Sequence, residues 1–112
     1  MRTISILGST GSVGRSTLAV VDAFPDDLRV VGLAAGANIE LLADQVRRYR
    51  PELVSVRTDA DVPRLRAAVG EAVEIVSGSK GASAVASMAS ADAVIAAIVG
   101  AAVIPPVLAG LL

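Results

Sequence analysis

Short apolar runs alternate with longer stretches of helical period along the chain, and this alternation limits the possible folds more than any other feature. Strands are predicted at residues 3–7, 29–34, 53–56, 74–76 and 93–99, and helices at 16–24, 39–49, 63–69 and 79–88. Strands separated by helices of this length are joined by right-handed crossovers and form a parallel sheet. We therefore expect an α/β fold with a doubly wound parallel sheet in three layers, as one domain over residues 1–112.

Polar and apolar residues mark the ends and the buried faces of the predicted helices. Asn38 and Asp61 are placed to cap the second and third helices, because their side chains accept hydrogen bonds from N–H groups at a helix N-terminus. Apolar residues recur at helical spacing on the first two helices: Leu18, Val20, Val21, Phe24, Ile39, Leu42, Val46 and Tyr49. Leu112 ends an apolar helical segment without a cap or a polar tail, so we expect the chain to be truncated at its C-terminus.

The composition excludes several classes of function. The chain contains no Cys and no His, so it offers no thiol nucleophile, disulfide, thiolate zinc site or histidine base. Its 10 basic and 11 acidic residues nearly cancel, and Phe24 and Tyr49 are its only aromatic residues, so we expect no nucleic-acid partner. The hydrophobic content of 54% is typical of a sheet whose strands are buried on both faces.

The uncharged segment 93–112 (AVIAAIVGAAVIPPVLAGLL) is long enough to cross a bilayer. We favour a strand over 93–99 followed by a helix that opens near Pro105 and Pro106, because alanine drives insertion weakly and the prolines interrupt a single helix. No membrane partner is therefore expected. The N-terminal apolar run is also too short for a signal peptide, so we expect a cytoplasmic location.

The segment GSTGSVG, residues 8–14, lies between the first predicted strand and the first helix. Gly8, Gly11 and Gly14 are spaced as in dinucleotide-binding loops, where they permit a tight turn, close approach of a pyrophosphate and close helix packing, respectively. The helix N-terminus would add free N–H groups and partial positive charge, and Thr10 and Ser12 would add hydroxyl donors. A flexible turn is the alternative. The position at a strand-to-helix junction favours a dinucleotide site in a Rossmann-like domain.

The turn after the second predicted strand bears on the choice of dinucleotide. Domains that bind NAD usually carry an Asp or Glu about twenty residues beyond the glycines, where it accepts hydrogen bonds from the ribose. Here the turn reads Gly36-Ala37-Asn38 and has no carboxylate, so a 2'-phosphate would not be repelled and NADP is favoured. The turn also has no Arg or Lys. Asn38 and the N–H groups that open the second helix are the available donors.

Three other groups of polar residues have simpler structural explanations. Asp59 and Asp61 have the spacing of a metal-ligand pair. The favoured interpretation is that one of them caps a helix and the other is a solvent-exposed turn residue. The arginines of segment 47–50 fit the solvent-exposed face of the second helix, and Lys80 lies near a helix start. We therefore expect no catalytic residue and no metal ligand in this chain.

Three longer segments, ISILGSTGSVGRSTL, FPDDLRVVGLAAGANIELL and ADAVIAAIVGAAVIPPVLAGLL, follow one another along the chain. Together they resemble the N-terminal, NADPH-binding part of the 1-deoxy-D-xylulose 5-phosphate reductoisomerase family, over essentially all 112 residues. The resemblance implies part of a homodimeric enzyme that uses a divalent metal, Mg or Mn, to rearrange 1-deoxy-D-xylulose 5-phosphate. Hydride from NADPH then yields 2-C-methyl-D-erythritol 4-phosphate, in non-mevalonate isoprenoid biosynthesis.

The resemblance also implies roles for individual residues. Segment 10–13 would surround the cofactor pyrophosphate, segment 36–38 would meet the adenosine ribose and its 2'-phosphate, and residues 97, 98 and 100 would lie beside the nicotinamide half. With the glycine loop, the predicted cofactor-binding residues are Gly8, Thr10, Gly11, Ser12, Val13, Gly14, Gly36, Ala37, Asn38, Ala97, Ile98 and Gly100. Many members have a basic residue in place of Ala37. The metal-binding carboxylates and the residues for the phosphorylated sugar substrate are expected beyond Leu112, so we expect no activity from this chain alone.

Two other functions are compatible with the sequence. A semialdehyde dehydrogenase has a similar glycine-rich first loop but needs a cysteine nucleophile, which this chain lacks. A non-catalytic nucleotide-sensing module would need only the binding loop.

Overall fold

Strands and helices alternate in the order that the sequence predicts. The computed structural model describes residues 1–36 and 38–96. Its elements are β1 (Arg2–Leu7), α1 (Ser12–Ala23), β2 (Leu28–Ala34), α2 (Ile39–Tyr49), β3 (Leu53–Val56), α3 (Asp61–Val69), β4 (Glu74–Ser77), α4 (Gly78–Ala86) and β5 (Ala93–Ala96). The predicted α/β class is confirmed, whereas residues 97–99 of the fifth predicted strand lie outside the described residues.

The strands form one parallel sheet in the order β4-β3-β2-β1-β5. The chain steps in one direction from β1 to β4, and the connection through α4 then returns it to the far side of β1. Right-handed crossovers that step in opposite directions put their helices on opposite faces of a sheet. The helices α1, α2 and α3 therefore cover one face and α4 covers the other, which confirms the doubly wound, three-layered arrangement.

Large apolar side chains fill the layer between the sheet and helices α1 to α3. The main members of this cluster are Ile4, Ile6, Leu18, Val21, Val30, Leu33, Ile39, Leu42, Val46, Val54, Val56 and Leu65, and all are buried. Complete burial of one such side chain contributes about 1.5 to 3 kcal/mol to folding. This layer therefore holds the sheet and three of the helices together.

Small residues on the opposite face let α4 approach the sheet closely. Ser5 of β1, Gly32 of β2 and Ser55 of β3 alternate with the large side chains of the first face. A Cβ atom added at Gly32 would lie 2.6 Å from Met88 Sδ, and one added at Gly81 of α4 would lie 2.5 Å from Ser55 Oγ. The two sides of the sheet are therefore packed in different ways.

Helix α1 differs from the prediction at both ends. It begins at Ser12 rather than at residue 16, because Gly11 serves as its N-cap and the chain passes from strand to helix within the glycine motif. Serine and glycine are weak helix formers, which concealed this start in the sequence. Helix α1 ends at Ala23, and Val20 and Phe24 are 50% and 52% exposed. The buried residues of α1 are Gly14, Leu18 and Val21.

Helices α3 and α4 also differ from the prediction. Helix α3 begins at Asp61, its N-cap is Ala60, and no side chain caps it, so the predicted capping role of Asp61 is wrong. Helix α4 ends at Ala86, two residues before the predicted end. None of the helices within the described ranges has the length and apolar character needed to span a bilayer.

Candidate functional site

The loop after β1 is tied to the end of β2. The N–H groups of Gly8 and Ser9 both donate to the carbonyl oxygen of Ala34, at 2.7 and 3.1 Å. The Gly11 N–H then donates to the Gly8 carbonyl oxygen at 3.1 Å. Gly8 has a φ of 84°, a conformation that only glycine adopts without strain. The first glycine of the motif thus turns the chain sharply at the end of β1.

The other two glycines of the motif have different surroundings. A Cβ atom at Gly14 would lie 2.2 Å from the Gly8 carbonyl oxygen and 2.7 Å from Ser9 Cα, so α1 packs directly on the loop backbone. A Cβ atom at Gly11 would meet only the Gly8 carbonyl oxygen, at an ordinary contact distance of 3.5 Å. The packing of the protein therefore requires a glycine at position 14 but leaves open space at Gly11.

The first backbone N–H groups of α1 have no hydrogen-bond acceptor within the helix. The hydrogen-bond ladder begins with the Arg15 N–H, which donates to the Gly11 carbonyl oxygen at 2.9 Å. The N–H groups of Ser12, Val13 and Gly14 precede this bond and have no acceptor within the helix. The first turn contains no acidic residue, so the partial positive charge of the helix end is not compensated. This arrangement suits an anion.

The loop after β2 is the second part of the site. Asn38 Oδ1 accepts a hydrogen bond of 3.1 Å from the Leu41 N–H, which confirms that Asn38 caps α2. This bond uses the oxygen of the amide, and the amide nitrogen makes no hydrogen bond within residues 1–36 and 38–96. Gly36 is exposed, and a Cβ atom added there would meet nothing within 4 Å.

A cavity of about 470 Å³ opens at the carboxyl edge of the sheet, in the size range of small-molecule sites. It is bounded by the loop after β1, the ends of β2 and β3 and the start of α4. Its lining residues are Gly8, Thr10, Gly11, Ala34, Ala35, Gly36, Ser55, Val56, Arg57, Gly78, Ser79 and Ala82. Ligands of open parallel sheets bind at this edge.

The structure brings four of the predicted cofactor-binding residues to this cavity, namely Gly8, Thr10, Gly11 and Gly36. Segment 12–14 forms the first turn of α1, and Asn38 caps α2; neither is part of the cavity lining. The remaining predictions, Ala37, Ala97, Ile98 and Gly100, lie outside the described residues.

Sequence reasoning missed the part of the cavity wall formed by β3 and α4. Ser55, Val56 and Arg57 follow one another at the end of β3, and Gly78 and Ser79 begin α4. Their only signal in the sequence was their position at the end of a predicted strand, since the carboxyl ends of parallel strands meet at one edge. Arg57 is the one charged residue among the lining residues that the structure describes.

The carboxylates next to this wall hold neighbouring side chains. Asp59 accepts a hydrogen bond from the Ser77 hydroxyl. Asp61 accepts one from the Thr58 hydroxyl at 3.0 Å and pairs with Arg64 at 3.2 Å. In the part of the chain that the structure describes, no three His, Cys, Asp or Glu side chains form a possible metal site. These contacts give both carboxylates a structural role, although Asp61 lies in the first turn of α3 and does not cap it.

A doubly wound parallel sheet, a glycine loop at its first strand-to-helix junction and a cavity at its carboxyl edge define the class of Rossmann-like α/β domains. A sequence model of 1-deoxy-D-xylulose 5-phosphate reductoisomerase matches residues 4–111, and the chain belongs to this family. The resemblance seen in the sequence is thereby confirmed, and a semialdehyde dehydrogenase is no longer an alternative.

Sequence relatives and solved structures agree with this assignment. The reductoisomerase of Geobacter sp. (strain M21) is 49% identical over 113 residues, which cover 100% of this chain and 29% of that protein. The enzyme of Trichlorobacter lovleyi is 46% identical and covers 99% of this chain and 29% of its own length. Similar solved structures include the Zymomonas mobilis enzyme in complex with NADPH, at 34% identity and a TM-score of 0.79, covering 87% of this chain and 26% of that one.

A further similar structure is a DOX-P reductoisomerase in complex with magnesium. It is 31% identical, has a TM-score of 0.83, and covers 90% of this chain and 26% of that one. The chain thus spans less than a third of the length of these relatives.

Proposed function

We propose that this chain is the NADPH-binding portion of a 1-deoxy-D-xylulose 5-phosphate reductoisomerase. The observation that carries the proposal is the N-terminus of α1, where three N–H groups without an intrahelical acceptor stand beside the cavity. Supporting it is the reductoisomerase of Zymomonas mobilis, a structural relative that contains NADPH.

The pyrophosphate of NADPH would bind at the glycine loop. Thr10, Gly11, Ser12 and Val13 surround the open end of α1, and a dianionic group there accepts hydrogen bonds from the helix N–H groups. The open space at Gly11 supports this placement, because the protein itself does not need a glycine there. Gly11 has a φ of −77°, which any residue adopts, so its small size is explained by a ligand that approaches the loop.

The adenosine ribose would bind at the turn after β2. Gly36, Ala37 and Asn38 carry no charge that would repel a 2'-phosphate. The amide nitrogen of Asn38 supplies a donor, since the cap of α2 uses only its oxygen. Ala97, Ile98 and Gly100 are proposed to meet the nicotinamide half, a role that follows from the family resemblance.

The bound NADPH would supply hydride for the reductive step of the family reaction. The contribution of this chain is to bind and orient the cofactor. The proposal assigns no catalytic residue or metal ligand to the chain, and the divalent metal and the sugar phosphate would bind elsewhere in the complete enzyme. A homodimeric complete protein and a cytoplasmic location stay predictions from the sequence, as does the absence of nucleic-acid and membrane partners.

Calorimetric titration of the folded chain with NADPH tests the proposal. We expect saturable binding, and we expect Gly11→Ala to weaken it at least tenfold because the added methyl group occupies ligand space. The methyl group fits the protein, so the variant should lose no more than about 1 kcal/mol of stability, the cost of alanine in place of glycine at the N-cap of α1. Ser16→Ala, at an exposed position of α1, is the matched control and should change neither property. A folded chain that binds no NADPH would refute the proposal.

A second measurement tests the division of roles. The chain mixed with 1-deoxy-D-xylulose 5-phosphate, NADPH and magnesium should show no oxidation of NADPH. Sustained turnover would show that catalytic residues lie within this chain.

A further inference from the structure

Arg57 has an unusual position in the cavity wall. It follows Val56 directly at the carboxyl end of β3, its side chain is exposed, and no Asp or Glu is among the lining residues within the described ranges. The other described lining residues contribute apolar groups, backbone or hydroxyl groups. The described part of the cavity wall therefore presents one positive charge and no negative charge to a ligand.

The acidic residues nearest to Arg57 in sequence are engaged by other groups. Asp59 accepts a hydrogen bond from Ser77, and Asp61 is held by Thr58 and Arg64. Within residues 1–36 and 38–96, Arg57 makes neither an ion pair nor a side-chain hydrogen bond. A guanidinium group in this position is available to pair with an anion that enters the cavity.

The sheet brings Arg57 to the turn after β2. Ala34 is the register partner of Ser55, and the Ala35 N–H donates to the Ser55 carbonyl oxygen at 3.1 Å. Two residues beyond this pair on each strand are Gly36 and Arg57, and both line the cavity. Neighbouring strands of a sheet are about 4.8 Å apart, so the uncharged turn and the arginine share one wall.

We propose that Arg57 pairs with the 2'-phosphate of NADPH and determines the preference of this chain for NADPH over NADH. This inference rests on the proposed function, which supplies the cofactor. The turn at 36–38 has no cation of its own, whereas the planar guanidinium of Arg57 can donate two parallel hydrogen bonds to a phosphate. A ribose without a 2'-phosphate gains nothing from this contact.

Titrations of Arg57→Ala with NADPH and with NADH test the inference. Loss of a charge-assisted contact should weaken NADPH binding about tenfold or more, while NADH binding stays within about twofold of the unchanged chain. Arg57→Lys keeps the positive charge but lacks the planar guanidinium, so its affinity for NADPH should lie between those of the unchanged chain and Arg57→Ala. Thermal unfolding of each variant confirms that it is folded.

Arg29→Ala is the matched control because it removes the same charge from an exposed position on β2. Arg29 precedes Ala34 by five residues, which places it roughly 16 Å from the carboxyl edge. This variant should bind both cofactors as the unchanged chain does.

The outcomes separate the two proposals. If the unchanged chain binds no NADPH, the proposed function fails and the role of Arg57 fails with it. If the chain binds NADPH but Arg57→Ala weakens NADPH and NADH equally, the side chain contacts a part that both cofactors share, and the inference is wrong. Unaltered binding of both cofactors would also overturn it.

Discussion

The side-chain nitrogen of Gln45 on α2 donates a hydrogen bond of 2.9 Å to the carbonyl oxygen of Ser9, in the loop after β1. Gln45 is 5% exposed and Ser9 is fully buried. The bond joins residues that are 36 positions apart in the chain. Helix α2 therefore supports the glycine loop through a buried contact.

Replacement of Gln45 by Met should destabilise the chain by about 1 to 3 kcal/mol, because the buried Ser9 carbonyl loses its side-chain donor while the volume at position 45 is kept. Urea unfolding measures this change, and hydrogen exchange should show faster exchange at the amides of the glycine loop. Asp44→Asn on the exposed side of α2 is the control and should stay within about 0.5 kcal/mol. Unaltered exchange at the loop in Gln45→Met would show that Gln45 does not support it.

Gly14→Ala should destabilise the chain by about 3 kcal/mol, because the new Cβ atom would overlap the backbone of Gly8 and Ser9. Backbone atoms move less readily than the end of a side chain, so α1 would have to shift. Gly36→Ala adds the same methyl group where nothing lies within 4 Å, and its stability should change by no more than about 1 kcal/mol. Denaturant unfolding measures both variants. Equal unfolding midpoints for Gly14→Ala and Gly36→Ala would contradict the close packing at Gly14.

Substitutions of Asn38 should separate its cap from its proposed contact with cofactor. Asn38→Ala removes the acceptor of the Leu41 N–H and should cost about 1 kcal/mol of stability. Asn38→Asp keeps the acceptor and should leave stability nearly unchanged, but its negative charge should weaken NADPH binding more than NADH binding. Thermal unfolding and calorimetry measure the two effects. Equal binding of NADPH by the Asp variant and the unchanged chain would place the 2'-phosphate away from this turn.

Tyr49 makes the stability of the chain depend on pH in alkaline solution. Partial burial raises the pKa of its hydroxyl, and the hydrogen bond that it donates to Asp22 at 2.9 Å and the charge of Asp22 raise it further, while Arg48 opposes the change. The ordinary pKa of a tyrosine is about 10. The native state therefore keeps the phenolic proton at a pH where the unfolded chain has lost it.

The stabilisation of the folded state by this proton is fully present below pH ~10 and is lost as the pH rises through the higher pKa of the folded state. We expect the unfolding free energy to decline more steeply with alkaline pH in the unchanged chain than in Tyr49→Phe. The chain has a single tyrosine, so phenolate absorbance reports this group directly. A phenolate titration identical in folded and denatured chain would contradict the prediction.

The strands and the class of fold were predictable because each strand is a short apolar run between turn residues. Helix boundaries were less predictable where packing outweighs local preference. Ser12 and Gly14 lie inside α1 although both are weak helix formers, because α1 packs directly on the loop that precedes it. Phe24 matched the helical period but lies at the end of α1, beyond the buried layer.

The candidate site was predictable where a local motif carries it. Gly8 follows the first strand directly, and the spacing of Gly8, Gly11 and Gly14 indicates a loop of this kind. Arg57 has no local motif. It reaches the cavity only because β3 lies beside β2 in the sheet, and the order of strands cannot be read from one sequence. The role of Asp61 was misjudged because α3 begins one residue later than a cap at Asp61 requires, with Ala60 at the N-cap and Asp61 in the first turn.

The carbonyl oxygen of Ala34 accepts both the Gly8 and the Ser9 N–H, so the turn after β1 and the end of β2 are fastened to a single atom. The spacing between these two loops is consequently set when the sheet forms, and no ligand has to establish it. A nucleotide that contacts both loops must therefore have a length that matches this fixed spacing. A molecule that is shorter or longer loses its contacts with one of the two loops, because the sheet prevents the loops from moving together.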